Sequence, residues 1–297
     1  VGGAGAAAGS LAGIDPSTLP RLAAAIPAPG LRDIGVGPLD IRLYALSILV
    51  GIAAATWLTA VRWRARGGDL DVVLECALYS VLAGLIGGRL YHVITSPDQL
   101  GDEWYAPFAV WEGGLGIWGA VALGVFAGAL YVRSRGVSVT EFMDVAAPGI
   151  LLAQGIGRMG NYFNQELYGT PTGLPWGLEV DEDRRPFRYA DEETFHPTFL
   201  YEMLWNFAGV ALLLLIERRF RIRPPGLFCL YVAWYSAGRL IWEQLRVDPS
   251  NEFLGQRVNF YVALVLFLGA IAFFVWFQRR GGDDAPSRPR RRRAPVG

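Results

Sequence analysis

Val145-Ala146-Ala147-Pro148-Gly149-Ile150-Leu151-Leu152-Ala153-Gln154-Gly155-Ile156 is an apolar run. It passes without a break into Gly157-Arg158-Met159-Gly160-Asn161-Tyr162-Phe163-Asn164-Gln165-Glu166-Leu167-Tyr168-Gly169. One helix therefore starts as a membrane span and ends in an arginine, two asparagines and a glutamate. Uncompensated polar groups in hydrocarbon cost kilocalories each, so water, protein or a charged ligand has to meet them. The stretch reads as a membrane helix with a polar task at one end.

The rest of the chain agrees with a membrane setting. Of 297 residues 53% are hydrophobic and only 18% charged, against about 25% in soluble domains. Several apolar runs reach the roughly 20 residues that cross a bilayer. Lysine is absent, so every basic side chain is arginine, and the net charge is zero. That balance gives no reason to expect a nucleic-acid partner. Cys76 and Cys229 both lie inside apolar runs, which argues against a structural disulfide. With two histidines, no His/Cys cluster, no P-loop and no dinucleotide fingerprint, neither a metal nor a cofactor is expected.

The fold expected is an all-α integral membrane protein with seven transmembrane helices. Spans are expected at about Leu43–Trp63, Val72–Ile94, Phe108–Val132, Val145 into the stretch above, Pro197–Ile216, Leu227–Leu245 and Val258–Phe277. They form one domain over 41–278, with a polar loop at about 169–196. Residues 1–40 form a flexible, Gly-, Ala- and Pro-rich lead, whose first residues lack the basic start of a signal peptide. Residues 279–297 form an arginine-rich, disordered cytoplasmic tail. Arginines cluster after spans 1, 3, 5 and 7, so the positive-inside rule puts those ends in the cytoplasm and the N-terminus outside.

Five arginines break that bias. Arg42, Arg89, Arg158, Arg239 and Arg246 fall at the outer ends of spans. A single one is explained by snorkelling or by a nearby acid. Several at one depth are better explained by an anion, and in the outer leaflet the available anion is a phospholipid headgroup. Tyr235, Arg239 and Glu243 are spaced four apart, with Arg246 three further on, which stacks them along one helix face. Arg239 and Glu243 can simply pair. His196 and Glu202 stand at the outer start of span 5, and Tyr44 at that of span 1 reads equally as an aromatic-belt anchor. The glycines of Gly113-Gly114-Leu115-Gly116-Ile117-Trp118-Gly119 admit a close ligand or close helix packing.

These residues carry a resemblance. Gly157-Arg158-Met159-Gly160-Asn161-Tyr162-Phe163-Asn164-Gln165-Glu166-Leu167-Tyr168-Gly169 resembles the signature G-R-x-G-N-F-x-N-x-E-x-x-G of bacterial prolipoprotein diacylglyceryl transferases, with Tyr162 in place of Phe. Ile41–Tyr44, Gly87–Tyr91, Trp111–Gly119, His196–Glu202 and Tyr235–Arg246 resemble further family segments in the same order. The resemblance implies a seven-span enzyme of the bacterial inner membrane with a small periplasmic portion. It implies transfer of the diacylglyceryl group of phosphatidylglycerol to the lipobox cysteine of signal-peptide-bearing preprolipoproteins, with a thioether formed and glycerol phosphate released. It places Arg158, Asn161, Glu166 and Gly169 at functional positions, and Tyr44, Tyr235, Arg239 and Glu243 at positions tied to lipid binding and activity. Trp118 departs from it, standing where many members have a histidine proposed as base.

Arg158 and Arg239 are then expected to stabilise the departing phosphate, with Arg89, Arg246, Tyr235, Asn161, Asn164 and Gly169 around the lipid. Glu202, Glu243, His196 or a water takes the thiol proton. Two rivals use the same arginines: a lipid flippase or transporter relaying headgroups, and a lipid-binding scaffold. The apolar inner halves of the spans favour chemistry at one face.

Overall fold

A computed structural model describes residues 25–36, 39–101, 103–110, 113–250 and 252–280. The expected lead over residues 1–24, the tail beyond 280, and Trp111 and Glu112 lie outside the described residues. The described chain contains seven long helices: α1 (Leu43–Ala65), α2 (Leu70–Thr95), α3 (Ile117–Ser134), α4 (Val139–Asn164), α5 (Thr198–Arg219), α6 (Gly226–Trp242) and α7 (Val258–Arg280). Before and between them lie three antiparallel strand pairs. These are β1 (Asp33–Val36) with β2 (Leu39–Arg42), β3 (Leu178–Glu179) with β4 (Thr194–Phe195), and β5 (Glu252–Phe253) with β6 (Gln256–Arg257). These short pairs leave the chain mainly helical, in line with the all-α expectation. Strands of two to four residues are too short to show an alternating pattern.

Five helices, α1, α2, α3, α5 and α7, are long and apolar enough to cross a membrane. Their outward side chains fit that role: Trp57 is 63% exposed and Val265 68%, a surface water would not tolerate over several helices. The chain is a mainly helical, multi-pass membrane protein. α6, at 17 residues, falls short of the length. α4 has the length but carries Glu141, Asp144, Arg158, Asn161 and Asn164.

Local chemistry sets the ends. Asp69 caps α2 by accepting from the Asp71 amide at 3.1 Å. Ser138 heads α4 in a Ser-Val-Thr-Glu box, its hydroxyl 3.4 Å from the Glu141 amide. The third span, expected from about Phe108, begins instead at Ile117. Ala106–Phe108 is a 3-10 turn around Pro107, and Gly113 and Gly114 take φ of +93° and +69°, which no right-handed helix accommodates. α6 closes at Trp242, before the expected Leu245, although Glu243 still donates its amide to the Arg239 carbonyl at 3.0 Å.

Two compact units divide the chain. The first holds the residues up to 51, 154–207 and 237–263; the second holds 52–153, 208–236 and those from 264. In the second unit α4 is the buried helix. Val145 joins a cluster with Trp63, Val73 and Val132, while Ala147 and Leu151 join another with Leu213, Leu227 and Tyr231. Arg62 ties three helices there: it donates to the carbonyls of Asp144 and Val145 in α4 and pairs with Glu217 in α5 at 2.8 Å. Asp144 accepts from the Phe228 amide in the first turn of α6 at 2.8 Å. α2 and α3 pack through Gly87 and Gly119, where a Cβ on either would strike the other's main chain. Small residues thus let two helices touch where no hydrophobic force separates helix from lipid.

The first unit has its own small core. Tyr168, Leu178, Val180, Phe195, Phe199 and Val247 bury one another, with Ile26, Met159 and Tyr162 packed against them. Isolated bridges join Ile26 to Leu178, Gly169 to Arg246 and Pro171 to Phe195. The polar segment at about 169–196 is therefore a folded piece that fixes the α4, α5 and α6 residues of this unit.

Candidate active site: a buried arginine and carboxylate network

All of the network lies in the first unit. The end of α4 places Arg158 and Asn161 three apart, one helical turn, on a common face. Arg158 donates to the Asn161 side-chain oxygen at 3.2 Å, and Asn161 donates to Glu166 Oε1 at 2.8 Å. From the first turns of α5 comes Glu202, 3% exposed. Its Oε2 lies 2.5 Å from Arg158 Nη2 and 3.7 Å from Arg239 Nη1. One carboxylate oxygen thus sits between guanidiniums from two helices.

A second carboxylate, Glu243, is 2% exposed and held from two sides. Arg239, four residues before it, pairs with its Oε2, and Arg246 approaches the same oxygen at 3.8 Å. Arg257 Nε and Asn259 Nδ2 reach Oε1 at 3.3 and 3.2 Å. Asp248 closes the group. It accepts from Arg246 through both oxygens, at 2.7 and 2.9 Å, and from Arg257 at 2.8 Å. Burial by itself raises the Asp248 pKa, but the hydrogen bonds and charge of Arg246, with the charge of Arg257, outweigh it and hold the carboxyl below its ordinary value. Four guanidiniums share three carboxylates directly, and the fourth acid, Glu166, reaches Arg158 only through Asn161.

The chain after α4 turns sharply to bring Glu166 there. Gln165 and Leu167 both take left-handed φ, +50° and +59°, a conformation non-glycine residues seldom adopt and that needs outside support. Gln165 supplies it by donating to Asp181 at 2.7 Å and accepting from the Asp181 amide at 2.8 Å. Gly169 follows at a crossing of three segments. A Cβ there would lie 2.8 Å from His196 Cβ and 3.2 Å from the Leu245 carbonyl oxygen, so only glycine fits.

The remaining expected residues are placed as follows. The Tyr44 ring lies over Gly160, where a Cβ would come within 2.7 Å of it, and within the electrostatic reach of Glu166 and Arg158. His196 Nδ1 is 3.2 Å from the Tyr201 hydroxyl, which accepts from Trp176 at 3.0 Å. The Tyr201 proton is then free to face Nδ1, and burial lowers the His196 pKa, so the imidazole is neutral near pH 7. Asn164 lines a cavity beside the network. Tyr235 and Arg89 belong to the second unit. Tyr235 packs against the cluster around Leu227 and Tyr231. Arg89 donates to the carbonyls of Pro107, at 3.0 Å, Gly113, Gly114 and Ala106, so it organises the loop before α3. Trp118, in the first turn of that helix, is half exposed.

Arg257, Asn259 and Asp248 take part in the network without having been singled out from the sequence. The available signal was an arginine at the start of the last apolar run, at the end expected to face outward like those of Arg42 and Arg158. Arg257→Gln removes donors from two buried acids at once, and hydrogen bonds to charged groups contribute about 1.5–3 kcal/mol each. The variant is expected to melt several degrees lower in detergent, and Arg257→Lys, which keeps the charge but not the fork, to fall between. Equal melting of all three contradicts the role.

Partly buried, converging guanidiniums near the ends of apolar helices set the class: a multi-pass membrane protein with an arginine and carboxylate network inside it. The comparisons carry this further, since the profile of prolipoprotein diacylglyceryl transferases matches residues 32–276. A protein of Cutibacterium acnes named phosphatidylglycerol--prolipoprotein diacylglyceryl transferase is 48% identical over 269 residues, covering 89% of this chain and 91% of its own. A Streptomyces coelicolor protein, named as the second such transferase, is 49% identical over 84% of this chain and 80% of its own. A Mycobacteroides abscessus protein with the same transferase name is 46% identical over 88% and 80%. The chain belongs to the prolipoprotein diacylglyceryl transferase family and is an enzyme of that class. The transporter reading has no support among these relatives.

Proposed function

We propose that the protein transfers the diacylglyceryl group of phosphatidylglycerol to the lipobox cysteine of preprolipoproteins. The observation that carries this is the meeting of Arg158 and Arg239 at Glu202, inside a chain whose relatives bear that activity as their name. The cysteine sulfur attacks the glycerol carbon next to the phosphate ester oxygen, forming the thioether. The C–O bond breaks, and its electron pair leaves on glycerol phosphate. A phosphodiester oxygen leaves readily only when its charge is met, and paired guanidiniums meet it in a site shielded from water.

A free cysteine has a pKa near 8.5 and is only slightly ionised at pH 7, so its proton needs an acceptor. Both oxygens of Glu243 are already engaged by Arg239, Arg257 and Asn259. Glu202 sits where the two clamp arginines converge, and we assign it the proton. Asn161 and Glu166 orient Arg158 and the lipid hydroxyls, and Tyr44, Arg246 and Gly169 shape the surroundings. α4 and α6 complete seven spans, because their polar groups are met inside the protein. The arginines closing α1, α3, α5 and α7 put those ends in the cytoplasm.

The test is a lipobox peptide incubated with the purified protein and phosphatidylglycerol vesicles, read by mass spectrometry. A gain of one diacylglyceryl mass on the cysteine is expected. No gain, alongside an active control enzyme, rejects the proposal.

A further inference from the structure

A cavity of about 650 Å³ opens in the first unit beside the network, lined by Arg32, Arg42, Arg184, Arg185, Asn164 and Glu166 among others. None of the four guanidiniums of the network lines it, so it is a second cationic chamber. It takes Asn164 from the end of α4 and Glu166 from the turn after it, and Glu166 is one hydrogen bond from the Asn161 that meets Arg158. Its size is that of a small-molecule site.

Its charges are unevenly matched. Arg32 is taken by Asp181 at 2.7 Å, and Arg184 pairs with Asp183 at 3.3 Å. Arg185 donates to the carbonyls of Val180 and Ala190, at 2.9 and 3.2 Å, which orients its guanidinium without cancelling its charge. Arg42 has no ion pair among the described residues. On the acid side, Asp248 lines the cavity but is already neutralised by Arg246 and Arg257. The chamber therefore presents two guanidiniums outside any ion pair, Arg42 and Arg185, and a guanidinium fork favours phosphate. It also presents two carboxylates outside any ion pair among the described residues: Asp33, in register with Arg42 across β1 and β2, and Glu166, which the strained turn at Gln165 and Leu167 holds in place. Guanidinium for phosphate and carboxylate for hydroxyls is the recognition set of a polyol phosphate. The few apolar walls, such as Leu167 and Val247, are too small a surface for acyl chains.

We infer that this cavity binds a small polyol phosphate. Resting on the function proposed above, that ligand is the glycerol phosphate released by transfer, taken up beside Glu166 once its C–O bond to the diacylglyceryl group has broken. The cavity then separates a water-soluble product from the lipid site.

Binding is measured directly, without turnover, by titrating glycerol phosphate into the full-length protein in detergent and following heat. Saturable binding is expected, weakened about tenfold or more in Arg42→Gln/Arg185→Gln. Because Arg185 also holds main-chain carbonyls, melting curves check folding, and Arg42→Gln alone, with a smaller loss of affinity, keeps the test open if the double variant unfolds. Equal affinity for glycerol phosphate in the unaltered protein and these variants overturns the assignment. So does equal binding of inorganic phosphate, which shows that no hydroxyl is recognised. Competition by phosphatidylglycerol in nanodiscs, lost in the same variants, makes the chamber a headgroup site instead. Transfer is assayed separately: glycerol phosphate binding without transferase activity retires the proposed function and leaves the cavity's ligand standing.

Discussion

Arg239→Ala is expected to abolish diacylglyceryl transfer while the protein still inserts and folds. Removing one preorganised donor from a developing anion costs about 10²–10³ in rate, and Arg239 presents a fork of donors. Activity should therefore fall by at least about 10³-fold. Loss of a buried arginine is also a risk to the fold, since an uncompensated carboxylate costs about 3–5 kcal/mol when its partner is deleted. Here the network limits that risk. Glu202 keeps Arg158 at 2.5 Å, and Glu243 keeps Arg257 at 3.3 Å, Arg246 at 3.8 Å and Asn259 at 3.2 Å. Stability and activity should separate: transfer lost, melting temperature lowered by only a few degrees. Transfer within tenfold of the unaltered protein would dismiss the clamp.

The same redundancy explains what could be read from the sequence and what could not. Length and hydropathy are enough for α1, α2, α3, α5 and α7, because a lipid-facing helix has to announce itself in composition. α4 and α6 are visible only as apolar runs that carry a polar load, since their partners are protein groups rather than lipid. Arg239 and Glu243 were legible as a possible pair because helical spacing alone brings them together. The Arg158 to Glu202 contact was not, because it joins α4 to α5 across a folded loop whose strands are two residues long. Arg257 joins through β6, a position with no periodicity to mark it. Arg89 shows the opposite error of emphasis. An arginine inside an apolar run looks like a ligand contact, but four main-chain carbonyls meet its donors, left unpaired by the turns that precede α3.

Glu202→Gln tests the other half of the mechanism. The carboxylate has two tasks: its Oε2 keeps the like charges of Arg158 and Arg239 together, and its other oxygen accepts the thiol proton. Glutamine has the same shape, so packing around a side chain that is 3% exposed is preserved. It carries no charge, and its amide cannot take a proton near neutral pH. Loss of the base costs about 10²–10⁴ in rate, and the expected result is transfer reduced by at least about 10²-fold at pH 7. The pH profile separates the two tasks. If Glu202 takes the proton, the residual rate of the variant should rise with pH as the substrate cysteine ionises by itself near 8.5, narrowing the gap to the unaltered protein in alkali. If Glu202 only spaces the arginines, the gap should be the same at every pH, because neither guanidinium loses its proton in that range. A constant gap would return the proton to His196, whose neutral imidazole faces Tyr201 on the same turn of chain.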